Sequence, residues 1–151
     1  MKQDSLRVKK NTGFCFDTCT QINIFKNPNI GNFLTCRCDI QNSLVYIPEI
    51  TLVEAERNGF EKSKILQTLS QTLGTKEIIV SPITTNMKIR AIVLEQKLKP
   101  LLHNGDSEIL AFALETDSIL VTYDKGLETC CNKMHGKVIN PSKILVEAIA
   151  A

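Results

Sequence analysis

Five short, β-prone apolar runs punctuate the chain: GFCF (13–16), SLVYI (43–47), EIIV (77–80), SILVTY (118–123) and KVI (137–139). Helical patterns lie between them, and this alternation constrains the fold more than any other feature. Strands parted by helices cannot close tight hairpins; they pair in parallel through crossovers. TLVEAERNG (51–59) and FEKSKILQTLSQTLG (60–74) each end at a glycine, a common helix stop, and the second carries Ile65, Leu66, Leu69 and Leu73 on one stripe. MKIRAIVLEQKLKPLL (87–102) reads as a helix broken or kinked near Pro100, followed by DSEILAFALETD (106–117) and SKILVEAIAA (142–151). The expected fold class is α/β, a three-layer α/β/α sandwich around a central parallel sheet.

A parallel sheet is covered on both faces, so the chain must supply a full core. Its 151 residues and 43% hydrophobic content suffice for one domain and are short for two. No repeat or Pro/Gly/Ser-rich linker divides it, and the expected partition is an N-terminal arm over 1–12 and one body over 13–151. Lys2, Arg7, Lys9 and Lys10 against Asp4 give the arm a charge of about +3 on a chain whose net charge is +2, which leaves the body near neutral. Such an arm is first a solvated tail and only weakly a phosphate-binding element. No apolar run approaches the roughly 20 residues of a membrane span, and MKQDSLRVKK lacks the apolar core of a signal peptide. Both features predict a cytoplasmic protein with no membrane partner.

The six cysteines (15, 19, 36, 38, 130 and 131) do not have zinc-site spacing, since CRC at 36–38 and CC at 130–131 lack the C-x₂₋₄-C separation. They read as reduced thiols serving as small hydrophobes, with a disulfide between distant members the alternative.

Open parallel sheets bind ligands beyond the carboxyl ends of their strands. Asp17 directly follows the first strand and Asp124 directly follows SILVTY, so both emerge on one rim; Glu54 lies one turn into the helix after SLVYIPEI, and Asp106 begins the helix that runs into SILVTY. Each has an ordinary explanation. Asp17 and Asp106 suit helix N-caps, Asp124 a turn, Glu54 a solvated face. Together, four carboxylates on one rim repel each other and raise each other's pKa unless a cation holds them, and hard oxygen ligands fit Mg²⁺ or Mn²⁺. Glu108 and Glu56 lie about 200° around their helices from Asp106 and Glu54, which points them away from the rim.

Four stretches in order, FDTCT (16–20), ITLVEAERNG (50–59), GDSEILAFALE (105–115) and ILVTYDKGL (119–127), match the motifs of a family of metal-dependent ribonucleases. The chain resembles a PIN domain, the fold of VapC-type toxins and of RNA-processing nucleases, over nearly its whole length after residue 12. The resemblance implies that Asp17, Glu54, Asp106 and Asp124 are both the catalytic cluster and the ligands of one or two Mg²⁺ or Mn²⁺ ions, with Thr18 and Thr122 as neutral oxygen partners. It implies hydrolysis of RNA phosphodiester bonds to 5′-phosphate and 3′-hydroxyl ends. Two positions depart from the family pattern: Cys19 replaces the usual Ser or Asn, and Gly126 stands where many members carry a further acid.

RNA, single-stranded or looped, is the expected substrate, with Lys88, Arg90, Lys125 and the basic arm as candidate backbone contacts. An antitoxin protein and a second copy of the chain are the candidate protein partners. The alternative to a nuclease is a non-catalytic RNA-binding or assembly module that keeps the fold, which Cys19 and Gly126 favour. A phosphotransferase using Asp17 as nucleophile ranks lower, because Thr-Cys follows where a second Asp would be expected.

Overall fold

The computed structural model describes residues 13–75, 77–103 and 105–150, with side chains up to residue 146. The arm assigned to 1–12 lies outside the described residues. The strands are β1 (Gly13–Phe16), β2 (Leu44–Pro48), β3 (Glu77–Ser81), β4 (Ile119–Val121) and β5 (Lys137–Ile139). All pair in parallel, in the order β3-β2-β1-β4-β5. The helices among the described residues are α1 (Thr18–Lys26), α2 (Pro28–Arg37), α3 (Glu49–Arg57), α4 (Lys62–Leu73), α5 (Thr85–Lys97), α6 (Asp106–Glu115), α7 (Lys125–Lys133) and α8 (Pro141–Ala150).

Strand periodicity builds the two cores. Cys15 sits in register between Tyr46 and Leu120, and all three face the layer of α5, α6 and α7, where Leu94, Leu110, Phe112 and Leu127 close the core. Phe14, Phe16, Val45, Ile47 and Val121 point the other way, onto α1 to α4 with Ile24, Leu34, Leu52 and Leu69. Alternate residues of a strand lie on opposite faces, so each strand feeds both layers. The result is the expected three-layer α/β/α sandwich. The side chains of Phe16, Ile47, Leu69 and Leu110 are fully buried, and each contributes about 1.5–3 kcal/mol of apolar burial.

Most expected elements are present with shifted ends. SILVTY narrows to Ile119–Val121, and Thr122, just past the strand end, bonds to Asp17 through its side chain. The helix expected to break near Pro100 ends at Lys97. The sequence patterns predict no helix over α1, α2 or α7, although Asp17 suits a helix N-cap. All three begin at a cap rather than announce themselves by a long stripe: Asp17, Asn27 and Asp124 each accept a hydrogen bond from a first-turn backbone N–H. In α2, Gly31 permits close crossing with α4, since a Cβ there would collide with the Thr72 side chain. All six cysteines are free, and Cys15, Cys130 and Cys131 are buried as small hydrophobes.

The chain order around β1 matters for function. From β1 the chain steps outward through β2 to β3, then returns to the opposite side of β1 for β4 and β5. The switch point therefore falls between β1 and β4, where diverging connections open a crevice at the carboxyl ends of the strands.

Candidate active site

Asp17 and Asp124 emerge at that switch point, held by a shared set of bonds. The Asp17 N–H donates to the Val121 carbonyl at 3.3 Å, and the Thr20 hydroxyl donates to the same carbonyl at 2.9 Å, locking the ends of β1 and β4 together. Asp17 Oδ1 accepts from the Thr20 N–H at 2.9 Å as the cap of α1, while Oδ2 accepts from the Thr122 hydroxyl at 2.5 Å. The Thr122 hydroxyl in turn accepts from the Asp124 N–H at 3.0 Å. Asp124 Oδ1 caps α7 through Leu127 N–H at 3.0 Å, which makes Asp124 a helix cap and not a plain turn residue. Thr122 is fully buried, so it lies beneath the rim as a brace between two carboxylates.

Glu54 and Asp106 approach from opposite layers. Glu54 projects from α3, and its Oε1 is buried without a hydrogen-bond partner. The position a Cβ would take on Gly105 lies 3.7 Å from that oxygen, which places Glu54 beside the start of α6. Gly105, at φ 85°, is the cap residue of α6, so Asp106 is the first helical residue and not the N-cap expected from sequence. The Thr18 hydroxyl is likewise buried; it faces Glu54 closely enough to lower its pKa, without the geometry of a hydrogen bond.

Burial and neighbouring charge raise the carboxyls of Asp106, Asp17 and Glu54. Burial, then the charges of Asp124, Asp17 and Glu54, push the Asp106 carboxyl up to about 6, against a smaller opposing effect of His103. Burial is also the main cause of the rise at Asp17, opposed by the Thr122 and Thr20 bonds and assisted by Asp124. Glu54 is raised by burial and by Asp17, while Thr18 and Arg57 pull it down. The Cys19 thiol is pushed up by burial and then by all four carboxylates. Cys19 itself is exposed. At Gly126 a Cβ would lie 3.2 Å from Asp124 Oδ1 and 3.3 Å from the Leu101 carbonyl, so an acid there would be pressed against both.

The candidate cations separate. Arg90 pairs with Glu115 at 2.7 Å, at the far end of α6 and about 13 Å along the helix from Asp106. That pairing takes Arg90 away from the rim. Lys88 lines a groove of about 450 Å³ with Arg57, Glu49 and Glu108. Lys125 is exposed at the start of α7, next to Asp124. Glu108 does open onto this neighbouring groove, yet its charge still reaches Glu54, so it is not independent of the cluster.

The donor set suits a hard divalent cation. It consists of carboxylate oxygens, one of them an orphaned buried Oε1, in a field of mutual repulsion that a cation relieves. Among the described residues no group of three or more His, Cys, Asp or Glu side chains stands close enough to hold a metal ion.

Sequence reasoning missed two residues. Arg57 is three positions after Glu54 on α3, a spacing that could have signalled it. Gln21 gave no signal: fully buried, it donates to the Phe16 carbonyl at 2.9 Å and to Thr51 Oγ1 at 2.7 Å, and Thr51 donates on to the Pro48 carbonyl at 2.6 Å. It thus ties the strand end that presents Asp17 to the helix that presents Glu54. Gln21→Met keeps the volume but strands the partners of two buried bonds, and is expected to cost roughly 2–3 kcal/mol in denaturant unfolding. A loss below about 0.5 kcal/mol would show that the bridge carries no structural weight.

No family model and no curated protein matches the chain. Solved structures match it in fold. VapBC2 from Rickettsia felis, bound to a DNA fragment from its promoter, superposes with a TM-score of 0.65 and 15% identity, covering 85% of this chain and 98% of that one. VapBC-1 from nontypeable Haemophilus influenzae gives a TM-score of 0.62 at 14% identity, over 87% of this chain and 99% of the other. The PIN domain endonuclease Utp24 gives 0.51 at 16% identity, over 87% and 86%. The chain has the fold of a PIN domain.

Proposed function

We propose that this PIN-fold chain is a metal-dependent endoribonuclease acting in the cytoplasm, with Asp17, Glu54, Asp106 and Asp124 as its catalytic and metal-binding carboxylates. The observation that carries the reading is the chain of bonds that joins Asp17 to Asp124 through Thr122 at the switch point of the sheet, together with the orphaned Glu54 Oε1 beside the start of α6. A nuclease fold among its structural neighbours agrees with it. When bound, Mg²⁺ or Mn²⁺ supplies positive charge for the scissile phosphate and makes water a better nucleophile.

The chain's own residues supply orientation. Asp17 is fixed by bonds to both of its oxygens, which leaves it one productive direction. Asp124 spends Oδ1 on capping α7, so its other oxygen is the one directed to a ligand. Asp106, its carboxyl pushed up to about 6 by burial and then by the neighbouring acids, would be held in its charged form by a bound cation. Lys88, Arg57 and Lys125 flank the rim and can steer the RNA backbone. One structural neighbour is a toxin–antitoxin complex from Klebsiella pneumoniae, so an antitoxin is the protein partner this reading favours, with a homodimer second. No helix among the described residues is long and apolar enough to cross a membrane.

The chemistry is tested by the ends it leaves. Hydrolysis by an activated water is expected to yield 5′-phosphate and 3′-hydroxyl termini, read by ligation and end-labelling of the products. Termini carrying a 2′,3′-cyclic phosphate would mean attack by the RNA's own hydroxyl, and the carboxylate mechanism would fall.

A further inference from the structure

Beside the acid rim lies a second concavity, of about 400 Å³, between the α1–α2 corner and the start of α8. Its size is within the range of small-ligand sites. Its walls combine two aromatic rings, Tyr123 and Phe33, with three amide side chains, Asn23, Asn27 and Asn29, and Leu145 at the edge. No acid or base lines it. The groove therefore offers flat apolar faces and paired donors and acceptors, with no fixed charge.

Tyr123 sets its relation to the rim. It is the residue between Thr122, which braces Asp17, and Asp124 itself. Its ring lines the groove, so the groove and the end of β4 that carries Asp124 share this residue. Across the groove, Arg37 lies over the Phe33 ring at 5.8 Å and brings a cation to that side. Among the described residues, no other side chain engages the amides of Asn23 and Asn29, and Asn27 uses its oxygen for the Asn29 N–H at 3.3 Å, leaving its NH₂ free.

We propose that this groove is a subsite for one unpaired nucleobase of the RNA whose backbone crosses the acid rim. A base splayed out of its stack needs an aromatic face and polar groups for its edge, and the groove supplies both within a residue of Asp124. The subsite rests on the ribonuclease reading of the rim. It adds that the enzyme senses the base next to the scissile phosphate as well as the phosphate.

The experiment measures binding without turnover. Asp17→Asn protein in Mg²⁺ is titrated into fluorescein-labelled RNA pentamers, either intact or with each position in turn made abasic, and anisotropy gives the dissociation constants. One abasic position is expected to weaken binding tenfold or more. Adding Tyr123→Ala, or Tyr123→Leu, which keeps an apolar filler in place, should lower affinity for the intact strand by a similar factor and erase the abasic penalty. Tyr123→Phe should behave as the parent. If the Tyr123 variants bind the intact strand like the parent, or retain the full abasic penalty, the subsite is overturned and the groove falls to a protein ligand instead. Cleavage by the otherwise wild-type chain is scored separately, so a failed subsite and a failed nuclease give different results.

Discussion

Asp17→Asn is expected to lower Mn²⁺-dependent cleavage of single-stranded RNA by at least about a hundredfold with the fold intact, and Asp124→Asn to do the same. Both substitutions keep shape and capping ability. An Asn at position 17 can still accept the Thr20 N–H, and one at 124 can still accept the Leu127 N–H. Only the charge that a hard cation requires is lost. Glu56→Gln is the control, because Glu56 is exposed on α3 about 200° from Glu54 and belongs to neither groove. Glu108 would be a poor control, since its charge reaches Glu54. Circular dichroism and initial rates decide the matter: full activity in folded Asp17→Asn protein would remove Asp17 from the chemistry.

Saturating Mg²⁺ or Mn²⁺ is expected to raise the melting temperature, by about 6–10 °C at a hundredfold excess over the dissociation constant, which corresponds to about 2.7 kcal/mol. Burial, and then the charges of Asp124, Asp17 and Glu54, hold Asp106 up to about 6, and a bound cation would offset both. Without metal, that unfavourable charging makes the protein less stable as pH rises. The folded-state pKa of Asp106 lies above its ordinary value of 3.8, so stability is fully present below about pH 4 and is lost as pH climbs through about 6. Asp106→Asn removes the loss. At pH 7.5 the metal-free variant should melt about 3 °C above wild type, a gain of roughly 1 kcal/mol after discounting the shift for partial exposure. The gain should shrink toward zero near pH 4, and metal should stabilise the variant much less than wild type. A wild-type protein indifferent to both metals, with an Asp106→Asn variant no more stable at any pH, would mean the acids do not form one cluster.

What the sequence disclosed and what it hid follow from the range of the interactions. Asp17 and Asp124 were legible because a strand end and the acid after it are adjacent in the chain, and the alternation of strands and helices placed both on one rim. Glu54 was legible through a single helical turn. Gln21 was not, because the partner that gives it meaning, Thr51, is 30 residues away and becomes a neighbour only when β1 and β2 pair. Arg90 misled for the same reason: its sequence neighbourhood suggests a backbone-binding cation, whereas Glu115, 25 residues further on, claims it. Helices α1, α2 and α7 escaped because caps and tertiary packing define them, and neither shows as a long apolar stripe.

The central claim is that the carboxylate rim cuts RNA only with a divalent cation. It is tested most directly by incubating the wild-type chain with a 5′-labelled single-stranded RNA in Mn²⁺, in EDTA, and in EDTA followed by excess Mn²⁺, with the products resolved on a denaturing gel. The expected result is cleavage in the first, none in the second and full recovery in the third. Equal cleavage with and without EDTA, or intact RNA under all three conditions with folded protein, would contradict it.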